Sequence, residues 1–151
     1  MLKVGSQAPD FTITIGSGDS FTLSEHRGRN VVLFFYPMAF TPGCSAEVGG
    51  FCESYGDISA WNAVVLGIST NSVETVKRFA RKMETPFPMG SDTKGRIRRL
   101  YGAEKWFGLV TSRVTYVIDG EGVIRGAFHS EFVVSSHIQN ALQTLESLAK
   151  G

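Results

Sequence analysis

The sequence predicts an α/β fold, a three-layer sandwich of helices on a central sheet with an amino-terminal β-hairpin. Two continuous apolar runs, Val31–Phe35 and Ala63–Ile68, read as strands buried on both faces. Between them, Val48, Phe51, Cys52, Tyr55 and Ile58 fall at helical spacing in a stretch from Cys44 to about Trp61, which makes a βαβ unit. Farther on, two strand-like segments flank the turn sequence Asp119-Gly120-Glu121-Gly122, so an antiparallel hairpin extends the sheet.

Taken in order, Phe11–Ile15 alternates apolar and polar residues, and Phe21-Thr22-Leu23 follows a Gly/Ser/Asp turn; together they predict the amino-terminal hairpin. The first buried strand, the helix and the second buried strand come next. Asn71 and Glu74 then resemble a capping pair at a helix start, and Val73, Val76, Phe79, Ala80 and Met83 mark its apolar face. A short helix carries Ile97, Leu100 and Tyr101 and ends at Gly102. Val114–Ile118 and Val123–Ala127 form the second hairpin. The last helix shows Ile138, Leu142, Leu145 and Leu148 on one face after a cap at Ser135 or Ser136. This order fits the thioredoxin-like fold, with residues 1–151 as a single domain.

Composition narrows the function. Hydrophobic residues are 42% and charged residues 19%, ordinary for a globular chain. A net charge of +1 gives no electrostatic footprint for nucleic acid or an anionic membrane surface. The start of the chain turns polar at once, unlike a signal peptide, and no stretch approaches the roughly 18 apolar residues of a membrane span. Two cysteines are too few for a disulfide scaffold or a thiolate zinc site, and the three histidines lack ligand spacing and read as surface or structural residues. The expectation is a cytoplasmic protein with two free thiols.

The informative segment runs from Phe35 to Glu47. A buried strand ends at Phe35, a loop with Pro37 and Pro42 follows, and Cys44 stands where a helix begins. Sites in open α/β sheets lie beyond the carboxyl ends of strands. A helix amino terminus offers unpaired amides and the positive end of the dipole, which favour the thiolate, the nucleophilic form of cysteine. Cysteine is more often an inert buried residue, but this position favours function.

Pro37-x-x-x-Thr41-x-x-Cys44 resembles the active-site pattern of the peroxiredoxins, the cysteine-dependent peroxidases. The resemblance extends over nearly the whole chain: Ala8-Pro9-Asp10-Phe11, Gly67-Ile68-Ser69, Phe87-Pro88 with Ser91-Asp92, and Arg113 before Val117-Ile118-Asp119 match in order. It lies between the bacterioferritin-comigratory type, for Thr41-Pro42-Gly43-Cys44, and the one-cysteine alkyl hydroperoxide reductase type, for Met38-Ala39-Phe40-Thr41. The resemblance implies that Cys44 attacks hydrogen peroxide or an organic hydroperoxide and becomes a sulfenic acid. Thr41 would hydrogen-bond the peroxide and the thiolate, Arg113 would stabilise the negative charge, and Pro37 would shield the sulfur. The amides of Gly43 and Cys44 would hold the substrate. No metal, flavin or nicotinamide is required, and an external thiol such as thioredoxin or a low-molecular-weight thiol would recycle the enzyme.

Each residue also has a plainer reading: Thr41 as a cap, Arg113 as a solvated strand-end charge, Pro37 as a strand terminator, Glu47 as either the family's acidic position or a solvated helix-start carboxylate. Cys52 is the departure. The bacterioferritin-comigratory type often has its second cysteine five positions after the first, where this chain has Gly49. Eight helical residues from Cys44 to Cys52 rise about 12 Å, beyond the roughly 7 Å that a disulfide allows. Gly49-Gly50 would either ease unwinding, so that Cys52 resolves Cys44, or permit close packing around a core Cys52; the second is preferred. Trp106-Phe107 is read as a pocket wall or homodimer contact, or equally as satellite core. A redox sensor built on Cys44 is the alternative function. A general disulfide oxidoreductase is disfavoured, because no Cys-x-x-Cys is present.

Overall fold

The computed structural model describes residues 1–150. Strands β1 (Thr12–Ile15) and β2 (Ser20–Thr22) form the amino-terminal hairpin, followed by a 3-10 turn at Leu23–His26. Then follow β3 (Asn30–Phe35), α1 (Pro42–Ala60), β4 (Ala63–Ser69), α2 (Val73–Met83), β5 (Met89–Ser91) and α3 (Arg96–Leu100). A small hairpin, β6 (Glu104–Lys105) with β7 (Val110–Thr111), precedes β8 (Val114–Ile118), β9 (Ile124–His129) and α4 (Val134–Lys150). The seven-stranded sheet runs β2-β1-β5-β4-β3-β8-β9. β3 and β4 pair in parallel, with Val32 beside Val65 and Phe35 beside Ile68, as the two continuous apolar runs require. β8 closes on the other side of β3 in antiparallel register.

Alternation along the central strands feeds two cores. Val32, Phe34, Val65 and Val117 face a layer of α1, α2 and α4, which contributes Val48, Phe51, Ile58, Phe79, Ile138 and Leu145. Val31, Leu33, Phe35, Ile68 and Tyr116 face the opposite layer, built from α3 and the amino-terminal segment through Ile97, Ala8 and Phe11. This is the thioredoxin-like three-layer arrangement with its amino-terminal hairpin.

Several local expectations change. The cap of α2 is Ser72, whose hydroxyl accepts from the Thr75 amide at 3.2 Å. Asn71 instead turns its carboxamide oxygen to the loop after β3, accepting from the Ala39 amide at 2.8 Å. Ser135 and Ser136 lie inside α4, where the Ser136 hydroxyl bonds back to the Val133 carbonyl; Ser130 Oγ receives the Val133 amide just ahead of the helix. β5 was hidden by its composition. Gly90 at its centre has no room for a side chain, since a Cβ there would lie 2.6 Å from Ile13, and a glycine two residues after Pro88 reads as a loop.

Candidate active site

β3 delivers the chain to the site at Tyr36, which is fully buried, and Pro37, half-buried, begins the turn. Phe40 adopts a left-handed backbone with φ of 69°, a costly conformation for an aromatic residue. The bend leaves Thr41 extended as the cap of α1, with Pro42 in the first turn, where proline is tolerated. Thr41 makes no side-chain cap bond; its hydroxyl donates to the Met38 carbonyl at 2.9 Å. The Gly43 and Cys44 amides belong to the first helical turn and have no intrahelical acceptor. They therefore stand open beside the Cys44 sulfur.

Cys44 is buried, and the guanidinium of Arg113 reaches it across the sheet. Nη2 donates to Sγ at 3.5 Å, and Nη1 donates to Glu47 Oε1 at 2.8 Å. Nη2 also packs beside Gly43 in the first turn, where a Cβ would sit 3.4 Å away, at ordinary contact distance. Arg113 and Glu47 are 6% and 0% exposed, which replaces the solvated strand-end charge and the solvated helix-start carboxylate with a buried ion pair. Burial pushes Glu47 up to about 7 against the opposing pull of the Arg113 charge and hydrogen bond. Burial works against the Arg113 charge, but Glu47 and Cys44 outweigh it and hold the guanidinium firmly protonated.

Glu131 fastens the arginine from behind. Its Oε1 accepts from the Arg113 amide at 3.1 Å and its carbonyl accepts from Nε at 3.3 Å. Burial would raise the Glu131 carboxyl, yet the Arg113 amide, His129 and Lys105 bring it down to about 2. His137 is fully buried on α4, bonded to Thr115 and to the Ser130 carbonyl, with Nδ1 3.9 Å from Glu47 Oε2. Sequence reasoning placed His137 among structural residues and missed Thr115, Glu131 and Tyr36 altogether. No spacing could reveal them, because they meet only through the fold.

Cys52 is half-buried on the same unbroken α1 as Cys44, packed against the core; burial, with Glu53 nearby, pushes its thiol up. Gly50 is the close-packing site: a Cβ there would lie 2.9 Å from Ile138 of α4. Trp106 and Phe107 are 68% and 106% exposed, which removes the satellite-core reading.

Comparison with known proteins identifies the family. Residues 4–127 match the model of the AhpC/TSA family. The chain belongs to the AhpC/TSA family. This peroxiredoxin is 37% identical over 145 residues to peroxiredoxin Q of the chloroplast from Sedum lineare, covering 95% of this chain and 78% of that one. The crystal structure of peroxidoxin BcpB from Mycobacterium tuberculosis superposes with a TM-score of 0.91 at 32% identity, over 98% of this chain and 99% of the other. A bacterioferritin comigratory protein from Xanthomonas campestris, studied for alkyl peroxide reduction, gives 0.86 at 27% identity over 92% of each chain. The peroxiredoxin reading of the motifs therefore holds, and the protein is a thiol-dependent peroxidase.

Proposed function

We propose that Cys44 is the peroxidatic residue and that its thiolate attacks the terminal oxygen of hydrogen peroxide or an organic hydroperoxide. The sulfur–oxygen bond forms as the peroxide bond breaks. With one proton taken up, thiolate and ROOH become sulfenic acid and ROH. The observation that carries this reading is the 3.5 Å approach of Arg113 Nη2 to the sulfur at a helix start with open amides. Arg113 balances the thiolate and the charge developing on the leaving oxygen. The Gly43 and Cys44 amides orient the peroxide, Thr41 turns its hydroxyl from Met38 toward the substrate, and Pro37 limits water. The alkyl peroxide chemistry of the Xanthomonas relative supports an organic hydroperoxide among the substrates.

An external thiol, such as thioredoxin or a low-molecular-weight thiol, then reduces the sulfenic acid. The unbroken helix between Cys44 and Cys52 supports this one-cysteine cycle over an internal disulfide. Two free thiols suit a reducing compartment such as the cytoplasm, and no described helix is long and apolar enough to cross a membrane. The deciding experiment is intact-mass spectrometry of reduced protein after one equivalent of peroxide, with a sulfenic-acid trap. A trapped adduct on Cys44 with Cys52 free is expected. Loss of two hydrogens without an adduct would show a Cys44–Cys52 disulfide, and no change would refute the assignment.

A homodimer is a second feature of the proposal. Trp106, Phe107, Leu109 and Phe132 are strongly exposed apolar side chains, and the Lys105–Glu131 ion pair at 3.3 Å ties their two loops together.

A further inference from the structure

Glu47 has one oxygen engaged and one idle. Oε1 holds Arg113, whereas Oε2 is buried and meets no hydrogen-bond donor. Oε2 faces Nδ1 of His137 at 3.9 Å, and both residues are 0% exposed. The state of that ring nitrogen follows from its neighbours. Nε2 lies 2.8 Å from the Ser130 carbonyl, which can only accept, so Nε2 carries hydrogen. Nδ1 of the neutral ring is then an acceptor, and the Thr115 hydroxyl donates to it at 2.8 Å. Oε2 is thus left without a hydrogen in the interior, where an unpaired polar atom is costly, while the single Nδ1 lone pair is taken by Thr115 and meets a carboxyl proton only when that hydroxyl turns away.

We propose that Glu47 Oε2 and His137 Nδ1 together hold one proton, and that its presence decides how much of the Arg113 charge serves the Cys44 sulfur. With the proton bound the pair is neutral overall, and the single guanidinium charge answers the thiolate alone. With the proton lost, the Glu47 carboxylate competes for Arg113 and places a second negative charge behind the sulfur. Burial pushes Glu47 up to about 7, while burial, joined by the Arg113 and His129 charges, holds His137 down; both place the proton on the carboxyl side. The remaining ionisable groups facing the pair are Tyr36 from the end of β3, kept neutral by burial, and Glu131, which Lys105 and His129 engage. His137 and Thr115 are therefore positioning residues, acting on the reaction through Glu47 and Arg113. The inference rests on Cys44 as the peroxide-reactive thiol.

The test is the second-order rate of Cys44 oxidation by hydrogen peroxide, followed by stopped flow from mildly acid to mildly alkaline pH. In the native protein the rate falls several-fold toward alkaline pH as the shared proton leaves. Glu47→Gln, neutral at every pH, loses the falling limb. Thr115→Val keeps side-chain volume but removes the hydroxyl that occupies the Nδ1 lone pair, which frees Nδ1 to accept from the Glu47 carboxyl, so the limb moves to higher pH by about half a unit or more. A packing role alone would scale the rate equally at all pH. A native profile without a falling limb, a limb that persists in Glu47→Gln, or a limb unmoved in Thr115→Val overturns the shared proton. A Cys44 that consumes no peroxide at any pH overturns instead the assignment of the nucleophile.

Discussion

Arg113 spends its guanidinium on three partners, the Cys44 sulfur, the Glu47 carboxylate and the Glu131 carbonyl, and each fixes one edge of the fork. Lysine cannot reproduce that fork. Arg113→Lys and Arg113→Met should both slow peroxide reduction, by about 100- to 1000-fold for Met if the charge acts as an oxyanion donor does. Removing Arg113 also leaves Glu47 Oε1 without its buried donor, at a cost of about 1–3 kcal/mol of stability. The double variant Arg113→Met/Glu47→Gln should regain much of that stability in denaturant titrations and none of the rate; a recovered rate would show that Arg113 is only a structural partner. The carboxyls leave opposite marks on stability. Glu47 is raised from 4.5 to about 7 on folding, so its contribution is complete below 4.5 and declines as pH rises through 7. Glu131 is lowered from 4.5 to about 2, so its contribution is present above 4.5 and disappears as pH falls toward 2. Denaturation midpoints measured against pH should lose the first decline in Glu47→Gln and keep the second.

Among the elements, β3 and β4 were legible because strands buried on both faces must be apolar throughout, and Cys44 was legible because a strand end, two prolines and a helix start frame it. Asn71 shows what sequence leaves out. Its spacing to Glu74 matched a helix cap, but the neighbouring Ser72 took that role and Asn71 bonded a loop 32 residues away in sequence. Glu47 and His137 carry no such frame, since the contact between them exists only once α4 has packed on α1. The Asn71 bond bears on the loop that leads to Cys44, where Phe40 is held in a left-handed bend. Asn71→Ala should cost about 1 kcal/mol and lower the peroxidase rate more than an exposed substitution on α2 such as Arg78→Ala. Equal rates in the two variants would mean the loop holds its shape without Asn71. Gly50 plays a matching part between helices. Gly50→Leu must displace Ile138, and with it the turn of α4 that carries His137, so thermal stability and peroxide turnover should fall together.

At the scale of the molecule, one end of the sheet gathers both the Cys44 sulfur and a cluster of exposed aromatic rings. Trp106 and Phe107 stand at the tip of the β6–β7 hairpin with φ of 55° and 58°, followed by Gly108 at 83°. Arg98 braces this tip by donating to Thr111 and to the Gly108 carbonyl, so the rings are held outward by a fixed support. If they bury against a second copy, Trp106→Ala/Phe107→Ser should shift sedimentation from dimer to monomer while leaving the intact-mass response of Cys44 in place; a monomeric native protein would sink the dimer. The chain holds two cysteines, and one unbroken helix, α1, carries both. If Cys44 is the peroxidatic residue and α1 stays helical through the cycle, a sulfenic acid on Cys44 has no thiol of its own to retreat to. Its fate becomes a race between a reducing molecule from solution and a second peroxide, which would carry the sulfur to the irreversible sulfinic state. The number of turnovers a molecule survives is then set by the ratio of reductant to peroxide around it, and the catalyst doubles as a fuse that fails when its surroundings run out of thiol.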